Sequence, residues 1–252
     1  MIYESDKNKF AIIAAGEGSR IRTEGASKPK PLIEVGGIPM IRRIIDAIID
    51  SGGESVTVII NDYFHELKEY LESFDSSIEL NIVIKNTQSS LHSIFEMRNY
   101  LSDAPFFLST TDTIFDKSEF INFVGYCRSN PNYDAILAVT DFIDDEKPLS
   151  VKLNNSWDIL EFNDELNGNK YVTGGLYYFK PHLFELMGKI INSGTFRLRN
   201  FLKSMLNENL NIQAFPFKKM IDVDHLADIK LAENFINELA AENVAHHSPG
   251  IK

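Results

Sequence analysis

The sequence predicts an α/β protein of three layers, with helices on both faces of a mostly parallel central sheet and antiparallel additions in its second half. Three observations carry this. Short apolar runs alternate with helical stripes through the first 110 residues, strand-like segments crowd together after residue 130, and a 252-residue chain with 44% hydrophobic content can bury one full core.

Residues 10–14 are short and uniformly apolar, as in a strand buried on both faces. Pro39 is read as opening a helix, since its fixed φ suits a first turn. Ile41, Ile44, Ile45, Ile48 and Ile49 then fall on one face, and Gly52-Gly53 stops the run. Residues 56–60 make a second strand, Phe64, Leu67, Leu71 and Phe74 mark a second helix, and residues 80–84 a third strand. Leu91, Ile94, Phe95 and Leu101 give a third helical stripe before a strand over residues 106–110. This βαβαβαβ order predicts parallel strands with ligands at their carboxyl ends. Residues 135–140, 150–153, 159–162 and 172–179 read as further strands, with Asn154-Asn155-Ser156 a turn between two of them. Helices over 181–192 and 198–206, and a last amphipathic helix carrying Leu226, Ile229, Phe235, Ile236 and Leu239, close the fold. One domain is expected over residues 1–241, followed by a polar, disordered tail over 242–252 in which His246 and His247 are solvated.

Composition narrows the partners. The formal charge is −11 and no Lys/Arg-rich block stands out, which argues against nucleic acid and for small molecules. A single cysteine, Cys127, excludes an internal disulfide and reads as a bystander. The N-terminus has no apolar stretch of a signal peptide, and no apolar run approaches roughly 20 residues, so the expectation is a cytoplasmic protein without membrane contact.

The stretch Ala14-Ala15-Gly16-Glu17-Gly18-Ser19-Arg20 follows the first strand and precedes Lys28-Pro29-Lys30-Pro31-Leu32. Glycines at a strand end let backbone N–H groups approach a polyphosphate, and Arg20 and Lys30 add fixed positive charge. Neither standard phosphate motif fits: G-x-G-x-x-G fails at Ile21, and no Gly-Lys-Ser/Thr follows at Walker spacing.

With Gly36-Gly37-Ile38-Pro39-Met40-Ile41 added, these blocks resemble, in order, the L-A-A-G-x-G-x-R, P-K-x-L and G-x-P-M-I pattern of the nucleotidyltransferase family. These are the sugar-1-phosphate nucleotidylyltransferases, or NDP-sugar pyrophosphorylases, here in a short form without a C-terminal repeat domain. The resemblance implies the nucleotide-diphospho-sugar transferase, GT-A-like fold, and catalytic roles for Arg20 and Lys30, with Lys28 a decoy. It implies nucleotide binding by Ala14, Ala15, Gly16, Gly18 and Ser19. It also implies a homodimer, by family habit.

Asp112 stands just past the strand 106–110, where an open sheet places its chemistry, and is the first choice for a Mg²⁺ ligand. Asp222-Val223-Asp224 precedes the last helix and offers the second. The resemblance favours Asp224, because Asp222–Ile229 is similar to a family D-x-D-T-x-x-D-L segment; Asp222 is the alternative. Each has a plainer reading: Asp224 as a helix cap, Asp112 as the end of a turn.

Gln88 follows the third strand, where family members bind the base, and its amide suits a pyrimidine edge. Equally, it belongs to a loop leading into a helix capped by Ser89 or Ser90. The Ala14-Ala15 opening resembles uridylyl and cytidylyl enzymes, which favours UTP or CTP. Thr173 and Gly174 resemble the family's acceptor-side strand. Glu161 stands like a family glutamate that bonds sugar hydroxyls, although Phe162-Asn163 replaces the Lys-Pro that usually follows. Tyr177, Tyr178 and Phe179 read as alternating strand residues rather than a choline cage, and Trp157 as a packing group before a lid. The expected function is Mg²⁺-dependent transfer of a nucleotidyl group from an NTP to a sugar 1-phosphate, with pyrophosphate released. The runner-up is a cytidylyltransferase acting on phosphocholine or a similar small phosphoester, and the third reading a non-catalytic nucleotide binder.

Overall fold

A computed structural model describes residues 9–74, 77–144, 146–194 and 196–247. Residues 1–8 of the expected domain and 248–252 of the expected tail lie outside the described residues.

In chain order the first half contains β1 (Lys9–Ala14), α1 (Ser19–Thr23), a 3-10 turn (Lys30–Leu32), β2 (Glu34–Val35), β3 (Ile38–Pro39), α2 (Met40–Asp50), β4 (Ser55–Ile60), α3 (His65–Glu72), β5 (Glu79–Ile84), α4 (Ser90–Glu96), α5 (Arg98–Leu101) and β6 (Phe106–Thr110). The second adds β7 (Thr113–Phe115), α6 (Lys117–Ser129), β8 (Ala135–Thr140), β9 (Ser150–Leu153), β10 (Ile159–Asn163), β11 (Tyr171–Phe179), α7 (Leu183–Asn192), α8 (Leu198–Asn207), β12 (Ile212–Phe217), β13 (Met220–Asp222) and α9 (Leu226–His247).

The expected α/β architecture holds. β6, β1, β4 and β5 lie side by side and parallel. Because the chain visits them as β1, β4, β5 and then β6, the strand order reverses beside β1, and the switch point falls between β1 and β6. The antiparallel additions begin with β11, which pairs with β6, β8 and β9; β10 forms the edge beyond β9. β12 then runs parallel to β8.

Strand alternation builds two apolar layers. On one face Phe10, Ile12, Val56 and Val58 meet Ile41, Ile44, Ile45 and Ile48 of α2, Leu67 and Leu71 of α3, and Phe120 and Phe123 of α6. On the other, Ile13, Ile59 and Leu108 meet Leu91 and Ile94 of α4, Met187 of α7 and Phe201 of α8. A smaller cluster joins Ile21, Val35 and Met40 to Ile114, Ile221 and Phe235, fixing α9 beside the first loop.

Some expectations need correction. Pro39 ends a hairpin, paired with Glu34, and its extended ψ of 138° leaves α2 to begin at Met40. The third helical stripe is two short helices with Met97 between them. Residues 242–247 of the expected tail continue α9. α6 had no counterpart in the reading above, although Phe120, Phe123, Val124 and Cys127 recur at helical spacing and are buried. Burial raises the Cys127 thiol pKa well above its ordinary value, consistent with a packing role. Among the described residues, no helix is long and apolar enough to cross a membrane.

Asp116 caps α6, accepting the Ser118 N–H at 2.6 Å and the Glu119 N–H at 3.4 Å. Asp116→Ala is expected to cost about 1 kcal/mol of unfolding free energy, read as a lower urea midpoint at unchanged slope.

Candidate active site

At the carboxyl end of β1, Ala14 and Ala15 are buried. The Ala15 carbonyl accepts a hydrogen bond from Asn61 Nδ2 at 2.5 Å, and Asn61, at the end of β4, is itself buried. The chain then turns through Gly16 and Gly18 into α1. Gly18 has φ +58°, and a Cβ there would lie 2.9 Å from the Cβ of Lys30. Only glycine allows this loop to rest on the lysine stem.

Lys30 is 7% exposed. Its Nζ donates to Asp112 Oδ2 at 2.7 Å and to Asp224 Oδ1 at 2.6 Å, while the Arg20 guanidinium holds the other Asp224 oxygen. Burial by itself opposes charge on Lys30, but the two carboxylates outweigh it and hold the ammonium well above the ordinary lysine pKa. Burial likewise opposes charge on Asp112, and the Lys30 charge with its hydrogen bonds holds that carboxyl below its usual range. Lys28 is exposed and pairs with Glu34 at 2.8 Å, away from this cluster.

The carboxylates are placed by backbone. β7 and β13 pair antiparallel, and the Val223 N–H donates to the Asp112 carbonyl at 2.9 Å, so the two segments meet side by side. Asp224 is not the cap of α9. The Leu226 N–H is taken by Glu24 Oε2 at 2.7 Å, and Asp228 Oδ2 accepts the N–H groups of Asp224 and His225 at 2.9 and 2.7 Å. Asp222 accepts from Thr113 Oγ1 at 2.7 Å and stands apart from Lys30's two partners.

Two adjoining cavities share Arg20, Ser90, Thr110, Asp112 and Asp224 as their common wall. The first, of about 420 Å³, is lined by Ile13, Gly16, Gly18, Ser19 and Lys30. The second, of about 480 Å³, lies beside β11 and α8 and is lined by Lys147, Thr173, Gly175, Tyr177, Arg197, Arg199 and Asp222. Arg20, Lys30, Gly16, Gly18, Ser19, Asp112, Asp224 and Thr173 therefore meet around these two cavities.

Others do not. Gln88 is exposed in the loop before α4 and lines neither cavity, and Ser89 caps α4 through the His92 N–H at 3.5 Å. Ser90 reaches the wall instead. Glu161 is exposed on the edge strand β10, beyond a register shift between Ile159 and Glu161 that leaves Leu160 and Glu161 both outward. Gly174 is required by packing: a Cβ there would lie 2.2 Å from Met220 Sδ. Its neighbour Gly175, at φ +75°, lines the cavity, and a Cβ there would strike Thr113 Oγ1 at 2.4 Å. Trp157 packs edge-on against Tyr171, 5.2 Å between centroids, and is no lid. Lys147, Arg197 and Arg199 were not foreseen; the two arginines flanking Leu198 at a helix start were the available signal.

Asp112 and Asp224 converge on one cation, the Lys30 ammonium. Among the described residues no group of three or more His, Cys, Asp or Glu gathers elsewhere or here. A pair of carboxylates bordering both cavities suits a hard dication that fills its shell with phosphate oxygens and water.

The sequence pattern of the MobA-like NTP transferase domain matches residues 10–203. The chain is 26% identical over 239 residues to the bifunctional protein GlmU of Thermodesulfovibrio yellowstonii, covering 90% of this chain and 52% of that protein, so it spans about half of that relative's length. It is 22% identical to the UTP–glucose-1-phosphate uridylyltransferase AglF of Haloferax volcanii, over 90% of this chain and 96% of that one. Among solved structures, the inositol-1-phosphate CTP transferase from T. maritima superposes with a TM-score of 0.77 at 20% identity, over 91% of this chain and 95% of that one, and so shares the fold.

Lys30→Met would leave two carboxylates facing each other without a cation. It is expected to cost about 2 kcal/mol at pH 7, below the usual figure for breaking a buried pair because both carboxylates keep contact with water. The pH dependence should change. In the native chain the depressed Asp112 pKa adds stability that is present above about pH 4 and lost as pH falls through the folded value, while the raised Lys30 pKa adds stability complete below about pH 10. In the variant, acidification from pH 7 to 5 should raise the urea midpoint by relieving the carboxylate repulsion, whereas these two groups leave the native midpoint level over that range; a variant midpoint that does not rise contradicts the pairing.

Proposed function

The chain belongs to the MobA-like NTP transferase domain family, a family of nucleotidyltransferases, and from that premise we propose that it transfers a nucleotidyl group from an NTP to a small phosphorylated acceptor, releasing pyrophosphate. The observation that carries this is the meeting of Arg20, Lys30, Asp112 and Asp224 at the wall between two cavities. One cavity holds the glycine loop and suits the nucleotide; the other suits the acceptor. UTP or CTP is the favoured donor and a sugar 1-phosphate the favoured acceptor class. The Ala14-Ala15 opening supports the donors, as do the names of the uridylyltransferase and the CTP transferase similar to this chain.

An oxygen of the acceptor phosphate attacks the α-phosphorus in line. The new P–O bond forms as the bond to the β-phosphate oxygen breaks, and pyrophosphate leaves with that electron pair. Asp112 and Asp224 are the residues that would hold Mg²⁺, which when bound supplies neutralising charge to phosphate oxygens. Arg20, half in water at the rim, grips the leaving phosphates. Lys30 brings the α-phosphate and the acceptor phosphate together, its proton secured by both carboxylates. Catalysis here is positioning and charge stabilisation rather than covalent chemistry.

The runner-up, a cytidylyltransferase acting on phosphocholine or a similar small phosphoester, gains support because Glu161 does not line the acceptor cavity. Choline itself fits less well, because Tyr177 is the one aromatic residue lining that cavity among the described residues. A non-catalytic binder is disfavoured, since all four charged groups are present and assembled.

Arg20→Ala is the clean test, because Lys30 also carries stability. Pyrophosphate release with Mg²⁺ should lose about 10²- to 10³-fold in kcat, with a shift in stability of at most about 1 kcal/mol. EDTA should silence the native enzyme and Mg²⁺ restore it; unchanged turnover in Arg20→Ala would sink the assignment.

A further inference from the structure

We propose that the acceptor carries a second ionised acid group besides the phosphate that attacks, and that Arg197 and Arg199 recognise it. This inference rests on the nucleotidyl-transfer reading above and names the acceptor class for that same site.

The argument begins with the placement of charge. At the wall shared by the two cavities, Arg20 and Lys30 are matched by Asp224 and Asp112. The remaining charged groups lining the acceptor cavity are Lys147, Arg197, Arg199 and Asp222. Asp222 is engaged by the Thr113 hydroxyl at 2.7 Å. A chain of net charge −11 thus sets three of its 25 lysines and arginines on one wall of one cavity.

Arg199 is held ready rather than neutralised. Its guanidinium donates to the Lys147 carbonyl at 2.9 Å and to Asp164 Oδ1 at 3.2 Å, while the other Asp164 oxygen takes Lys203 at 2.6 Å. One carboxylate is therefore shared between two cations. Arg197 makes no ion pair among the described residues. Planar guanidinium groups suit carboxylate and phosphate oxygens, and the apolar side chains of Leu149, Leu198 and Leu202 in the same wall weaken competition from water. The neutral-sugar alternative lacks its reader, since Glu161 points to solvent on β10. A cationic acceptor would meet like charge.

The experiment measures pyrophosphate release with Mg²⁺ and each common NTP, using glucose 1-phosphate, glucuronic acid 1-phosphate, glucose 1,6-bisphosphate and phosphocholine as acceptors. The uronic acid and the bisphosphate separate a carboxylate from a second phosphate as the recognised group. At least one should exceed glucose 1-phosphate by about tenfold or more in kcat/KM, mainly through KM, and phosphocholine should be poorest. In Arg197→Gln and in Arg199→Gln that ratio should fall toward one, with thermal unfolding of the exposed Arg197→Gln variant as the folding control. Equal or better use of glucose 1-phosphate by the native enzyme overturns the inference while leaving nucleotidyl transfer intact. So does a ratio that survives both variants, or a rise in the NTP KM that is the same with every acceptor, which would assign the arginines to the triphosphate. Release with no acceptor overturns the nucleotidyl-transfer reading and the inference with it.

Discussion

The buried ammonium of Lys30, gripped by Asp112 and Asp224, is the constraint on which the rest of the site depends. A lysine charge removed from water costs several kcal/mol unless it is paired and hydrogen-bonded. Here the partners lie 82 and 194 residues away in the chain. The fold must therefore end β6 beside β1, return β13 along β7, and start α9 at the same point. Gly18 adds the remaining side by resting on the lysine stem. A second tie reinforces the first, because Glu24 at the end of α1 reaches across to the N-terminus of α9. Loop, sheet end and last helix are locked together through charge.

The two halves of the sheet divide the labour. The parallel half supplies the switch point between β1 and β6, where the glycine loop borders one cavity. The antiparallel half supplies the β11 wall of the other. There β11 bends at Gly174-Gly175, with a register shift between Thr173 and Tyr177 against β8, and so admits Met220 on one side and the Thr110–Thr113 hydroxyl pair on the other. The same bend turns Thr173 toward the cavity. This wall carries Lys147, Arg197 and Arg199 in a protein whose overall charge is strongly negative, so local charge and net charge differ in sign there.

Most of the fold was legible in the chain. The isoleucines of α2 and the short apolar strands state their periods within a few residues, and packing then followed those periods. Of the candidate site, the glycine loop, Arg20 and Lys30 were legible because their blocks stand in a recognisable order, Asp112 because it follows a strand end, and Asp224 because its segment resembles a family one. α6 is written in the sequence as well, since Asp116 precedes a buried stripe of Phe120, Phe123, Val124 and Cys127 at helical spacing. Gln88 and Glu161 show a different limit. Their neighbours place them near strand ends, yet a helix cap at Ser89 and a register shift on β10 turn them to solvent.

The sequence by itself determined the alternating strands and helices of the first half, the two-faced core and the position of the glycine loop after the first strand, because each rests on residue spacing over a turn of helix or a length of strand. Only the tertiary structure decided that Asp224 rather than Asp222 completes the Lys30 pair, that Gly174 serves packing while Gly175 borders the cavity, and that Lys147, Arg197 and Arg199 share one wall. Those facts depend on which side chains meet across crossovers and ladders, and spacing along the chain does not encode the distance between charges brought together by folding.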